Sequence, residues 1–177
     1  SNGYKLLLAV GRLVQEKAFD NLIDAVAIVR QNQKVKLIIL GDGEQREFLQ
    51  KKIAENKLQK DVDLFGYTER VFSFMKSADL YVLSSRQEAF GNVLVEAIAC
   101  GLPCVATDCV SGGPKEIMEQ CGIGKYGVLC ERENVEALAS SILLALDKEY
   151  KKANFKQKAT EFEIDYSAEK YLEFAKE

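Results

Sequence analysis

The sequence predicts an α/β domain in which a six-stranded parallel sheet is covered by helices on both faces. Three observations lead there. Six short apolar runs of strand composition recur along the 177 residues; each is closed by glycine or a polar loop; and each is followed by a segment whose apolar residues repeat at helical spacing. Right-handed crossovers then send every strand in one direction, and the loops after the strands leave from a single sheet edge, where such folds bind ligands.

The first strand is Lys5-Leu6-Leu7-Leu8-Ala9-Val10, closed by Gly11, and the loop behind it carries Arg12 and Lys17. Asp20 to Asn32 repeats Leu22, Ile23, Val26 and Val29 on one helical face. Lys36 to Leu40 is the second strand, broken by Gly41-Asp42-Gly43 before a helix over Glu44 to Glu55. Asp61 to Phe65 is a short third strand ended by Gly66-Tyr67, and Arg70 to Ser77 a short helix. Leu80 to Ser84 is the fourth strand, and a helix expected from Val93 stops at Gly101 and Pro103. Pro103 to Thr107 is the fifth strand, followed by Ser111-Gly112-Gly113-Pro114 and a short helix around Lys115 to Glu119. Tyr126 to Cys130 and an amphipathic helix from Val135 to Asp147 complete the pattern. The expected division is a domain over residues 1–149 and a helical tail over 150–177, packed on that domain or on a neighbour outside this chain.

Composition narrows the function. With 47% apolar and 29% charged residues the chain reads as a globular protein, and a formal charge of −3 argues against a nucleic-acid partner. No apolar run is long enough for a membrane span, and nothing resembles a secretory signal. Five cysteines, no C-x-x-C pair and no histidine leave no zinc set and point to reduced thiols and a cytoplasmic location. Without histidine, Ser–His and Cys–His nucleophile arrangements are impossible. The opening Ser-Asn-Gly, without methionine, reads as the start of a fragment.

The most chemical stretch is Glu88-Ala89-Phe90-Gly91-Asn92-Val93-Leu94-Val95-Glu96, where two carboxylates bracket a glycine turn and a helix start. Asn92 is expected to cap that helix, whose free N–H groups and positive dipole end make an anion site. Carboxylates beside a phosphate make sense when they meet hydroxyls on either side of it, the layout of a nucleotide-diphospho-sugar. The plain alternatives stay open at this point: Glu96 as a solvated helix residue, Glu88 as a loop residue, Arg12 and Lys17 as surface cations, Tyr67 as a strand-end aromatic. Gly41-Asp42-Gly43 lacks the third glycine of a dinucleotide fingerprint, Arg46 standing in its place, and Asp61-Val62-Asp63 opens a strand rather than following one, so neither an NAD site nor a metal pair is expected.

In order, Gly11-Arg12-Leu13-x-x-x-Lys17, Gly41-Asp42-Gly43, Phe65-Gly66, Glu88-Ala89-Phe90-Gly91-x-x-x-x-Glu96-Ala97, Cys100-Gly101-x-Pro103 and Ser111-Gly112-Gly113-Pro114-x-Glu116-Ile117 resemble the C-terminal, donor-binding domain of GT-B glycosyltransferases of the retaining GT4 group. The resemblance covers almost the whole chain. It implies a Rossmann-like three-layer α/β/α half of a GT-B fold. It also implies transfer of a hexose or N-acetylhexosamine from a nucleotide-diphospho-sugar, UDP-sugars favoured, to a glycan or lipid-linked acceptor in polysaccharide assembly. By the same resemblance Gly11, Arg12 and Lys17 hold the diphosphate, Glu88 the sugar hydroxyls and Glu96 the ribose diol. Phe90, Gly91, Asn92 and Val93 offer backbone N–H groups, and Gly66 and Tyr67 frame the base. Catalytic roles fall to Glu88, Arg12 and Lys17, with no cofactor and no metal. The family's usual glycine after the lysine is Ala18 here, an expected loss of loop flexibility. The resemblance further implies an N-terminal acceptor domain outside this chain, which would bring membrane contact at the inner face. A stand-alone nucleotide-binding regulatory module and a sugar-nucleotide epimerase of the GT-B type are the alternatives that the motifs leave.

Overall fold

A computed structural model describes residues 3–122, 124–150 and 155. The elements alternate as the sequence predicts: β1 (Lys5–Val10), α1 (Phe19–Val29), β2 (Val35–Leu40), α2 (Arg46–Glu55), β3 (Val62–Gly66), α3 (Val71–Ser77), β4 (Leu80–Leu83), α4 (Asn92–Ala99), β5 (Cys104–Asp108), α5 (Gly113–Cys121), β6 (Gly127–Glu131) and α6 (Val135–Asp147). The six strands form one parallel sheet in the order β3-β2-β1-β4-β5-β6, a Rossmann-like topology. The chain runs outward from β1 to β3, then returns to place β4 on the other side of β1. The crossovers therefore diverge between β1 and β4, which opens a crevice at their carboxyl ends.

Strand periodicity divides the core in two. Leu7 and Ala9 of β1, Leu80 and Val82 of β4 and Val105 of β5 face one apolar cluster, built with Leu22, Ile23 and Val26 of α1 and Leu138 and Ile142 of α6. The alternate residues Leu8, Tyr81, Leu83, Cys104 and Ala106 face the other, built with Leu94 and Ile98 of α4 and Ile117 and Met118 of α5. Burial on both faces explains why the strands read as continuous apolar runs. Each fully buried aliphatic side chain contributes about 1.5–3 kcal/mol. The Lys5–Asp79 pair, with side chains 43% and 37% exposed, belongs to a class worth about 0–1 kcal/mol, so the core decides the fold.

Local chemistry sets the ends. Asn134 caps α6 by accepting from the Ala137 N–H at 2.9 Å. The expected Asn92 cap is corrected: Gly91 caps α4 at φ 98°, Asn92 is already helical, and no side chain of the described residues closes the helix start. The chain enters α4 through a left-handed conformation, which glycine adopts without strain, so the helix begins one residue early. Of the expected tail only Tyr150 and Phe155 belong to the described residues; Phe155 is buried and stands edge-on to Tyr126 at 5.0 Å.

Candidate functional site

Lys17 ends a one-turn 3-10 helix, Gln15–Lys17, in which no residue is buried. A single turn has little stability of its own, and this one is held from outside. The Gln15 carbonyl accepts from Arg86 Nη1 at 2.7 Å, the Glu16 carbonyl from the Arg86 backbone N–H at 2.8 Å, and the Lys17 carbonyl from Ser84 Oγ at 2.8 Å. Three successive carbonyls behind β1 are thus fastened to the segment behind β4. Ala18 links the turn to α1 at φ 49° and ψ 39°, left-handed geometry that alanine tolerates poorly. The Lys17 side chain passes Gly11, where a Cβ would stand 3.2 Å from Lys17 Cε. Its ammonium donates to Glu88 Oε2.

Glu88 also lies 3.4 Å from Ser85 Oγ. The Ser85 carbonyl is gripped from β5 by Thr107 Oγ1 at 2.6 Å and by Cys109 Sγ at 3.1 Å. Ser84, Ser85 and Thr107 are buried polar residues, each placed beneath the loop that carries Glu88. The same loop is braced by α5: a Cβ on Gly113 would fall 2.6 Å from the Ala89 carbonyl oxygen and 2.7 Å from that of Phe90. Gly113 therefore serves a close backbone approach.

Lys17, Ser84, Ser85, Glu88, Phe90, Gly91, Asn92 and Val93 line a cleft of about 280 Å³ at the β1/β4 crevice. Phe90 is largely exposed at its mouth. The Leu94 N–H returns to the Gly91 carbonyl at 2.8 Å, while among the described residues no side chain caps the N–H groups of Asn92 and Val93. A cation, a carboxylate and a helix start with free donors meet in one cleft, a combination suited to a group that is anionic at one end and hydroxylated at the other.

Glu96 lies one turn further along α4, about 6 Å from Asn92 along the axis. It is outside the cleft lining. Its carboxyl is pushed above the ordinary range by burial, and it makes no side-chain hydrogen bond among the described residues. The Tyr81 phenol registers both acids. Burial first, then the charges of Cys104, Glu88 and Glu96, pushes it well above its usual value.

The other expected residues are dispersed. Arg12 is exposed on the loop behind β1, and its guanidinium has no hydrogen bond or ion pair among the described residues. Gly66 and the 79% exposed Tyr67 stand at the end of β3, two strand spacings from β1, about 10 Å. Arg46 ties β3 to the loop behind β2: Nε donates to Asp42 Oδ1 at 2.8 Å and Nη1 to the Leu64 carbonyl at 3.2 Å. Gly41-Asp42-Gly43 supports the β1 loop instead, with the Leu13 N–H on the Asp42 carbonyl at 3.0 Å. Asp61 is paired with Arg30 at 2.7 Å at the opposite sheet edge.

Sequence reasoning missed Arg86 and Asp20. Arg86 Nη1 and Nη2 lie 3.0 and 2.8 Å from Asp20 Oδ1 and Oδ2, and Arg86 Nε lies 3.2 Å from Glu133 behind β6. Burial alone would raise Asp20, but the Arg86 hydrogen bonds and charge outweigh it and hold the carboxyl below the usual range. The only sequence signal was Ser84-Ser85-Arg86, polar residues directly after an apolar strand.

Comparison with known proteins fixes the family. The profile of the family described as glycosyl transferases group 1 matches residues 1–162. The chain belongs to the group 1 glycosyl transferases. It is 31% identical over 166 residues to the amylovoran biosynthesis glycosyltransferase AmsD of Erwinia amylovora, covering 94% of this chain and 45% of that protein. It is 32% identical over 155 residues to the N-acetylgalactosamine-N,N'-diacetylbacillosaminyl-diphospho-undecaprenol 4-alpha-N-acetylgalactosaminyltransferase of Campylobacter jejuni, covering 88% and 41%. Among solved structures, an S. aureus TarM mutant in complex with fondaparinux, alpha-GlcNAc-glycerol and UDP superposes with a TM-score of 0.82 at 31% identity, over 96% of this chain and 34% of that one. This group 1 chain spans less than half the length of these relatives. Among the described residues no helix is long and apolar enough to cross a membrane, and no three histidine, cysteine or acidic side chains group as a metal cage.

Proposed function

We propose that this chain is the donor-binding half of a retaining, GT4-type glycosyltransferase that takes a hexose or N-acetylhexosamine from a nucleotide-diphospho-sugar, with UDP as the carrier. The observation that carries the reading is the meeting of Lys17, Glu88 and the uncapped start of α4 at the point where the crossovers diverge. In this reading the diphosphate lies against the Asn92 and Val93 N–H groups, with Lys17 and the freely extending Arg12 as its cations. Glu88 accepts from sugar hydroxyls and Glu96 from the ribose diol. The base reaches toward Gly66 and Tyr67, for which the spacing of about 10 Å leaves room.

Chemistry follows from charge. As the bond from the anomeric carbon to the phosphate oxygen breaks, the electron pair stays on the phosphate. Lys17, Arg12 and the helix start stabilise that charge without reorganising, which is how fixed donors accelerate such steps. The sugar carbon becomes oxocarbenium-like, and an acceptor hydroxyl attacks from the face that the leaving group vacates, passing its proton to the departing phosphate oxygen. A glycan or lipid-linked acceptor would be held by a further domain, in a cytoplasmic enzyme that meets the membrane through that domain. The relatives named for amylovoran biosynthesis and for transfer to a diphospho-undecaprenol-linked acceptor support this placement. A need for bound metal is not part of the proposal, since these side chains supply the positive charge.

Calorimetric titration of UDP, GDP and ADP tests the donor assignment. Saturable binding with UDP tightest is expected, and a measurable affinity about 10- to 100-fold weaker in Lys17→Ala. Absence of binding by all three nucleotides would overturn it.

A further inference from the structure

Arg86 touches none of the cleft, yet it joins the turn that ends in Lys17 and the start of α1 to the segment that carries Glu88. Its guanidinium grips both Asp20 carboxylate oxygens, at 3.0 and 2.8 Å, and the Gln15 carbonyl at 2.7 Å, while its backbone N–H holds the Glu16 carbonyl at 2.8 Å. Gln15 and Glu16 form the single turn that ends in Lys17, and Asp20 lies in the first turn of α1 immediately after it. Two residues beyond Arg86 stands Glu88, the partner of the Lys17 ammonium.

We propose that Arg86, through Asp20 and the Gln15 carbonyl, is a positioning residue that fixes the Lys17 ammonium against the donor diphosphate. The role rests on the donor-site reading above and extends it to a group that no donor atom touches. Without the guanidinium, this 3-10 turn with no buried residue keeps the Ser84 hydroxyl on the Lys17 carbonyl, the Arg86 backbone N–H on the Glu16 carbonyl and the Lys17–Glu88 ion pair, while the Gln15 carbonyl and Asp20 lose their hold. A planar fork is required because one group must bridge a carboxylate edge and a carbonyl together, which an ammonium cannot do in that geometry. The Arg86–Glu133 contact at 3.2 Å extends the clamp to the loop behind β6. Arg86 is held fully charged: its hydrogen bond to Asp20 outweighs the effect of burial.

The experiment measures UDP affinity of Arg86→Lys and Asp20→Asn, each made in the wild-type chain and in a Lys17→Ala background, with amide hydrogen exchange at Lys17 and Ala18 read in the absence of ligand. Each variant alone is expected to weaken UDP binding about tenfold, the scale of a lost charged hydrogen bond. Because the clamp acts through the lysine, the same substitution in the Lys17→Ala background should change affinity by less than about twofold, since residues in one network are not additive. Exchange at the two amides should speed up in Arg86→Lys while the far-ultraviolet spectrum stays that of the wild type. An equal loss of affinity in both backgrounds, as a purely structural role would give, overturns the proposal, and so does unchanged exchange. Faster exchange with Lys17→Ala binding UDP as well as the wild type would instead remove the donor-site reading and leave the clamp as a device that orders the turn.

Discussion

Replacing Lys17 by methionine separates what the Lys17–Glu88 pair does for the fold from what it does for a ligand. Methionine keeps an unbranched apolar stem beside Gly11 and removes only the charge. The pair is half-buried, its side chains 24% and 18% exposed, so its loss falls between an exposed pair, about 0–1 kcal/mol, and a buried one, about 3–5 kcal/mol. About 1–2 kcal/mol follows, most of it the burden of leaving the Glu88 carboxylate with only Ser85 at 3.4 Å. For a chain of this size that lowers the unfolding midpoint by roughly 2–8 °C. Lys17→Met/Glu88→Gln, with no charge left to compensate, should recover most of that midpoint. UDP affinity behaves differently: it should fall roughly 10- to 100-fold in Lys17→Met and stay low in the double variant, because the phosphate has lost a cation in both. Differential scanning fluorimetry and calorimetry read the two effects. Wild-type UDP affinity in Lys17→Met, or its recovery in the double variant, would refute the reasoning.

Glu96 is half-buried and makes no side-chain hydrogen bond among the described residues, so its carboxyl is raised above the unfolded value of 4.5 and the charged form costs stability; wild-type stability should decline as pH climbs through and above that value. Glu96→Gln should flatten that slope and raise the midpoint at pH 7 while weakening UDP binding about tenfold, seen in a pH series of thermal melts and in calorimetry. Ala18→Gly relieves a left-handed alanine at φ 49° and should stabilise by about 0.5–1 kcal/mol in urea unfolding, reduced by whatever the lost Cβ packing contributed. Gly113→Ala drives a methyl to 2.6 Å from the Ala89 carbonyl oxygen; a loss of about 1–3 kcal/mol in the same assay, with weaker UDP binding, is the expected outcome.

The fold could be read from the chain because strands buried on both faces leave unbroken apolar runs, Lys5–Val10 and Leu80–Leu83 among them, and because Val135–Asp147 carries its helical period. The cleft was legible where local chemistry marks it, in Lys17, Glu88 and the glycine before α4. Arg86 and Asp20 were not, since 66 positions separate them and each alone resembles a solvated charge. Their pairing depends on β4 lying beside β1, a fact of sheet order that no local pattern encodes. Asn92 misled for a related reason: cap preference is a local signal, and the turn that Gly113 presses from α5 demands a left-handed residue at 91 instead. Arg12 and Glu96 fit the motif, but neither lines the cleft formed by Lys17 and Glu88.

The most direct measurement is the amide spectrum of the 15N-labelled chain titrated with UDP. The largest shift changes should fall on Lys17 and on Gly91, Asn92 and Val93, with smaller ones at Gly66 and Tyr67. Changes centred on the cavity at the opposite sheet edge, lined by Lys5, Lys76 and Lys148, with residues 91–93 unmoved, would contradict a diphosphate held between the β1 loop and the start of α4.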